Sequence, residues 1–136
     1  MFPRSTQYAI RAMTFLAAQG VGRLCGAKEI AQAEHIPMPF LWKILQKLAA
    51  KKLIRSFRGV RGGYELAKSA DRITLQKLLK EMGHDRLVTR CVLGFPQCTD
   101  RSPCPLHPLW RTGREAFSQA LRTTTLADLS RSAPAR

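Results

Sequence analysis

The chain has 136 residues, 45% hydrophobic and 24% charged, with 23 Lys plus Arg against 9 Asp plus Glu and a formal net charge of +14. That length suits one domain of about 100 to 150 residues and excludes a large two-domain enzyme. The apolar content puts the charge excess on a folded surface rather than on a disordered tail, and its sign attracts phosphate backbones or anionic membrane surfaces. No stretch approaches the roughly 20 apolar residues of a membrane span, and MFPRSTQYAI lacks a signal-peptide core, so the expected location is cytoplasmic, with no membrane partner.

In chain order, Thr6 to Gln19 carries Ala9, Ile10, Met13, Leu16 and Ala17 on one side of a helix, with Ser5 or Thr6 as N-cap and Gly20 as its stop. Ala27 to Glu34 reads as a second, short helix, broken by His35-Ile36-Pro37-Met38-Pro39. Pro39 suits the first turn of a third helix, whose buried stripe is Leu41, Ile44, Leu45 and Leu48. Leu53 to Phe57 and Tyr64 to Leu66 read as strands joined by the glycine-rich turn Arg58-Gly59-Val60-Arg61-Gly62-Gly63. A fourth helix fits Thr74 to Met82, with Thr74 as cap and Leu75, Leu78, Leu79 and Met82 on one face. Residues 84 to 105 lose periodicity, and Pro96, Pro103, Pro105 and Pro108 crowd the same stretch, so something other than backbone ladders must hold it. A long helix from Leu106 to about Thr124 then presents Leu106, Leu109, Trp110, Gly113, Phe117, Ala120 and Leu121. So small a domain has little core to cover that stripe, which is expected to meet a copy of itself; the tail after Leu129 is expected to fray. The predicted fold is mainly α with a small β wing: a winged helix-turn-helix DNA-binding domain over 1–83, a cysteine-rich cluster-binding loop over 84–105, a dimerisation helix over 106–130 and a flexible tail over 131–136.

Between Glu34 and Glu65 there is no acidic residue, while Lys43, Lys47, Lys51, Lys52, Arg55, Arg58 and Arg61 all fall there, a local excess of seven. Trp42, Lys43, Gln46 and Lys47 occupy the face of the third helix opposite its leucine stripe, as a helix docked in a major groove requires. Gln46 can pair with a base edge and the lysines can hold phosphates. Trp42 either packs on sugar or a thymine methyl or serves as half-buried packing. In the hairpin, Gly59, Gly62 and Gly63 permit close backbone approach to a sugar-phosphate edge, and Arg55, Arg58 and Arg61 can clamp it. A solvated lysine face and an ordinary tight hairpin are the alternatives; the two features side by side favour duplex DNA.

The chain has four cysteines, and Cys91, Cys98 and Cys104 form with His107 a set separated by six, five and two residues. Soft thiolates select zinc, cuprous ion or iron–sulfur clusters. The Cys-x-x-Cys knuckle usual in zinc sites is absent, and a cluster tolerates wider spacing and accepts His. The spacing therefore favours an iron–sulfur cluster, with zinc, a thiol switch or unligated cysteines as alternatives; His107 is either a ligand or simply a helix N-terminal residue. The basic residues around the loop, among them Arg101, Arg111 and Arg114, are expected to offset the charge of thiolates. Cys25 reads as a packed, inert thiol, and His35 and His84 as surface or packing residues. No nucleotide-binding glycine motif, paired carboxylates or triad context marks an enzyme.

Tyr8-Ala9-Ile10-Arg11-Ala12-Met13, Glu29-Ile30-Ala31, Phe40-Leu41-x-Lys43-Ile44-Leu45-x-Lys47-Leu48, Arg58-Gly59-x-x-Gly62-Gly63-Tyr64-x-Leu66 and Thr125-Leu126-Ala127-Asp128-Leu129 together resemble the Rrf-type bacterial transcription regulators, the IscR/NsrR/CymR family. The resemblance implies a homodimeric winged-helix repressor or activator of a duplex operator, with crossing C-terminal helices. It also implies an iron–sulfur cluster, two-iron rather than four-iron, that senses iron–sulfur status, nitric oxide or redox state. The ligands map onto Cys91, Cys98, Cys104 and His107. Three departures stand out. The cluster-biogenesis branch has five residues between its first two cysteines where this chain has six. Some nitric-oxide-sensing relatives use an Asp in the first helix where this chain has Gln7. Pro39 and Trp42 stand near positions where relatives carry polar base-reading residues, which implies a different operator; Arg58 of the wing is retained.

Overall fold

The structure is a computed structural model that describes residues 2–20, 22–96 and 98–132. The first helix, α1 (Arg4–Gln19), starts after Pro3, two residues ahead of the expected boundary, with no side-chain cap. Thr6 is not a cap: it is fully buried, and its hydroxyl is hydrogen-bonded to Nδ1 of His84 across the fold. His84 is thereby a tie between the first helix and the start of the cysteine loop.

The helix-turn-helix pair is α2 (Ala27–Glu34) and α3 (Met38–Ala50). His35 turns the chain in a left-handed conformation at φ 53°, and Pro37 precedes the first residue of α3. Leu41, Ile44, Leu45 and Leu48 are buried, as the stripe predicts, against Ala9, Ala12 and Met13 of α1 and Ile30 of α2 in one core. Burying four such side chains removes several kcal/mol of apolar exposure and fixes α3 with its other face outward.

Strands β1 (Ile54–Phe57) and β2 (Gly63–Leu66) pair antiparallel, Arg55 facing Glu65 and Ser56 facing Tyr64. Tyr64 N–H donates to the Cys25 carbonyl at 2.8 Å and Cys25 N–H to the Tyr64 carbonyl at 3.0 Å, so the segment before α2 adds a rung to the hairpin. After a 3₁₀ turn at Ala70–Arg72, α4 (Leu75–Glu81) is capped by Thr74, whose Oγ1 accepts from Lys77 N–H at 3.1 Å. A 3₁₀ turn at Asp85–Val88 leads into the cysteine loop, and α5 (His107–Thr123) follows.

The segment expected to form one dimerisation helix is two. Thr124 is extended, and the chain makes an antiparallel bridge between Thr74 and Thr125, with Leu75 N–H donating to the Thr124 carbonyl at 3.0 Å and Leu126 N–H to the Ile73 carbonyl at 2.9 Å. It then folds back as α6 (Leu126–Ser132) against α1, with Leu126 fully buried in the main core. Thr125 and Asp128 cap α6 reciprocally: Thr125 N–H donates to Asp128 Oδ2 at 2.9 Å and Asp128 N–H to Thr125 Oγ1 at 3.2 Å. The backbone and hydroxyl of Thr125, with Arg131, hold the Asp128 carboxyl below its ordinary pKa. The tail expected to fray after Leu129 is thus helical through Ser132, because tertiary docking and the cap hold it; residues 133–136 lie outside the described residues.

A second, smaller core of Leu79, Val88 and Leu121, with Phe2, Leu75 and Phe117 packed on it, seats the C-terminal half of α5 on α4. The rest of the predicted α5 stripe is not covered by this chain: Leu106 and Leu109 are 44% and 77% exposed. Leu126→Ala removes a fully buried side chain from the α1–α6 contact and is expected to lower the free energy of unfolding by about 2–5 kcal/mol, read by chemical denaturation.

Candidate functional site

The outward face of α3 carries Trp42, Lys43, Gln46 and Lys47, all exposed; at 47% exposure Trp42 is available for contact rather than packed away. Lys47 also has a contact within the chain. Its Nζ donates to the Met82 carbonyl at 3.2 Å, at the C-terminus of α4, where a cation complements the helix dipole. Arg55 is also engaged within the chain, 3.2 Å from the Glu65 carboxylate directly opposite on β2. Arg58 and Arg61 are exposed at the hairpin tip, beside the fully exposed Val60.

The wing glycines have an internal reason to be there. A Cβ on Gly62 would stand 2.1 Å from the Phe57 carbonyl oxygen, and one on Gly63, at φ +151°, 2.8 Å from the Cys25 carbonyl oxygen. Gly62 and Gly63 therefore let the hairpin close and dock, whereas Gly59, at φ +99°, has open space around it at the tip.

The cysteine loop is stitched to α5 by side chains. Trp110 Nε1 donates to the Arg90 carbonyl at 2.8 Å, Arg114 to the Thr89 carbonyl at 3.4 Å, and His107 N–H to the Cys104 carbonyl at 2.9 Å. Within it, hydrogen bonding from the Leu93 backbone foremost, then from Phe95, with the Cys104 side chain and Gly94 contributing, holds the buried Cys91 thiol below its ordinary pKa. Of the four expected donors two are in contact: His107 Nδ1 stands 3.4 Å from Cys98 Sγ, and Arg114 Nη1 lies 3.5 Å from the same sulfur. His107 is the first residue of α5, as expected, and its buried side chain faces Cys98. Among the described residues no three His, Cys, Asp or Glu side chains gather closely enough to hold one metal ion. The donors are soft, which fits a thiophilic metal or cluster.

Sequence reasoning missed Asp100. Its Oδ1 lies 2.9 Å from His107 Nε2 and 3.3 Å from Arg111 Nη1, and these two neighbours, His107 first, hold its carboxyl below the ordinary range. The available signal was a lone acid between Cys98 and Cys104 in a basic stretch. Of the basic residues expected to offset thiolate charge, Arg114 reaches the Cys98 sulfur, whereas Arg111 pairs with the Asp100 carboxylate instead and Arg101 is exposed. Cys25 is fully buried, with Arg23 donating to its sulfur at 3.3 Å, and burial pushes its pKa up, in keeping with an inert thiol.

A helix-turn-helix whose second helix turns a basic face outward, followed by a two-stranded wing, defines a winged-helix transcription regulator rather than an enzyme. Residues 2–132 match Rrf2, the iron-dependent transcriptional regulators, and the chain belongs to that family. It is 31% identical over 131 residues to an HTH-type transcriptional regulator of Aquifex aeolicus, covering 95% of this chain and 90% of that protein. It is 30% identical over 125 residues to the HTH-type transcriptional regulator NsrR of Oceanobacillus iheyensis, covering 91% and 85%. The fold is shared with CymR, the global cysteine regulator of B. subtilis (TM-score 0.82, 23% identity, 98% of each chain), and with T. potens IscR (TM-score 0.74, 22% identity, 98% and 88%). Among the described residues no helix is long and apolar enough to cross a membrane.

Gly63→Ala forces a side chain against the Cys25 backbone and is expected to destabilise the protein by about 1–3 kcal/mol in denaturant titrations, with faster amide exchange at Tyr64.

Proposed function

We propose that the chain is a cytoplasmic, homodimeric regulator that binds a duplex operator through α3 and the wing. Through its cysteine loop it senses iron–sulfur status, nitric oxide or redox state. Its ligands are Cys91, Cys98, Cys104 and His107, and its cofactor is an iron–sulfur cluster, two-iron in preference to four-iron. The observation that carries this reading is the contact of the Cys98 sulfur with the buried His107 imidazole at the N-terminal end of α5, together with a second thiol of the loop, Cys91, held below its ordinary pKa. Four terminal donors, two for each iron, are the requirement of a two-iron cluster, and hydrogen bonding to a ligating sulfur, such as lowers the Cys91 pKa, is among the features that set cluster potentials. Such a cluster supplies a site that gains or loses an electron, or reacts with oxidants or nitric oxide.

On the DNA side, Trp42, Lys43 and Gln46 face outward for the groove and Arg58 and Arg61 for the backbone, while Lys47 and Arg55 orient the surface through Met82 and Glu65. The exposed Leu106 and Leu109, beside exposed Val92, Leu93 and Phe95, form an apolar surface that a second copy covers. Trp110 and Arg114 couple the loop to α5, so a change at the donors is transmitted to the dimer helix. That change re-aims two recognition helices spaced about one helical turn apart on the operator.

One observation favours a second reading. The Cys91 thiol is held below its ordinary pKa by hydrogen bonding, from the Leu93 backbone foremost and with the Cys104 side chain contributing, which suits a thiol/disulfide switch without a cluster; a zinc-loaded loop is the related metal alternative.

Anaerobic purification with iron, sulfide and zinc analysis decides among these. Red-brown protein with visible absorbance bands that Cys91→Ser or Cys104→Ser abolishes is the expected result; colourless protein carrying zinc or free thiols overturns the cluster. Operator affinity is expected to fall with log salt at a slope of about −5 to −7 if six to eight phosphates are neutralised per dimer, and Arg58→Ala to reduce the slope by about 2, one unit per protomer. A flat salt dependence overturns the DNA assignment.

A further inference from the structure

Asp100 is 68% exposed, while the imidazole it holds is 6% exposed. Its Oδ1 accepts from Nε2 of His107 at 2.9 Å and from Arg111 Nη1 at 3.3 Å, and Arg111 is itself steadied by Glu115, 3.5 Å from its Nε. A carboxylate only accepts, and a neutral imidazole carries one N–H. The contact therefore places the His107 proton on Nε2 and leaves Nδ1 as the bare nitrogen, 3.4 Å from Cys98 Sγ. The backbone of His107 is fixed as well, by its N–H bond to the Cys104 carbonyl at 2.9 Å at the start of α5, so only rotation of the ring remains to be set.

We propose that Asp100 is a positioning residue that sets the tautomer and ring plane of His107 so that Nδ1, not Nε2, is the fourth donor, presented beside Cys98. This rests on the cluster reading given above. Its physical basis is general: a ligating histidine is oriented, and made more basic, when its second ring N–H is held by a carboxylate. Arg111 completes the device by holding the carboxylate in place. The same assignment joins Cys98 and His107 as adjacent donors.

Two measurements test it. In reduced, metal-free protein labelled with ¹⁵N-histidine, wild-type His107 is expected to show a protonated Nε2 and an unprotonated Nδ1. Asp100→Ala is expected to mix the tautomers, and Asp100→Asn, whose amide oxygen still accepts, to restore the wild-type pattern. After reconstitution with ferrous iron and sulfide, reduced protein labelled selectively at Nδ1 is expected to show the nitrogen hyperfine coupling of a direct iron ligand. Asp100→Ala is expected to lose iron to a ferrous chelator about ten- to a hundred-fold faster. Wild-type protein that takes up no iron and sulfide overturns the cluster reading, and this proposal with it. A loaded wild type with the coupling on Nε2, or an Asp100→Ala protein with wild-type tautomer and chelator resistance, overturns the role of Asp100 alone.

Discussion

Leu126, buried beneath α1, is the contact on which the rest of the architecture depends. It returns the chain to the winged-helix core after a long departure, and the bridge between Thr74 and Thr125 pins the exit and the re-entry side by side. Everything between α4 and α6 is therefore one excursion with a closed base, sealed by Leu79, Val88 and Leu121. Seventeen residues of α5 span about 26 Å at 1.5 Å per residue, so the base lies at one end of that helix and the cysteine loop at the other. The separation of the cysteine loop, at the far end of α5, from the winged-helix body follows from one buried leucine and two backbone hydrogen bonds.

The charge of +14 is distributed by the same architecture. Arg111 and Arg114 turn toward Asp100 and the Cys98 sulfur, Lys47 toward the end of α4, and Arg55 toward Glu65. Arg58 and Arg61 are left at the exposed hairpin tip, and Lys43 on the open face of α3. The basic residues thus divide into those that hold the protein's own geometry and those free to meet an external anion, a division that composition cannot show. The loop illustrates the first group. With four prolines between 96 and 108 it cannot form ladders, so indole, guanidinium and imidazole donors to backbone carbonyls, sulfur and carboxylate take their place.

Elements with strong local signals were readable before any coordinates. The stripe of α3, the Thr74 cap and the hairpin each express a period or a turn chemistry within a few residues. Where reading failed, the deciding partner was distant. Thr6 resembles a helix cap, but its hydroxyl belongs to His84, 78 residues away. The stretch after Leu129, SRSAPAR, has no large apolar residue, so it reads as a tail; docking of α6 on α1 and a reciprocal cap make it helical through Ser132. Asp100 has no periodicity to announce it and acquires its role only when the loop folds onto α5. Of the candidate site, the cysteines, His107 and the basic face were visible in sequence, whereas the contacts of His107 with Cys98 and Asp100 and the internal partners of Lys47 and Arg55 required the fold.

The closing position of Leu126 also sets an order of events in time. Residues of α1 such as Ala12, Met13 and Leu16 share one core with a leucine that the ribosome adds about 110 residues after the helix ends. At about 5–20 residues per second the first helix waits roughly 6 to 22 seconds for that partner. The helices α2 and α3 arrive early enough to cover part of its face, but the surface reserved for α6 stays open throughout synthesis of the loop and arm. The patch of α1 that α6 covers is consequently the last part of the main core to receive its partner during synthesis.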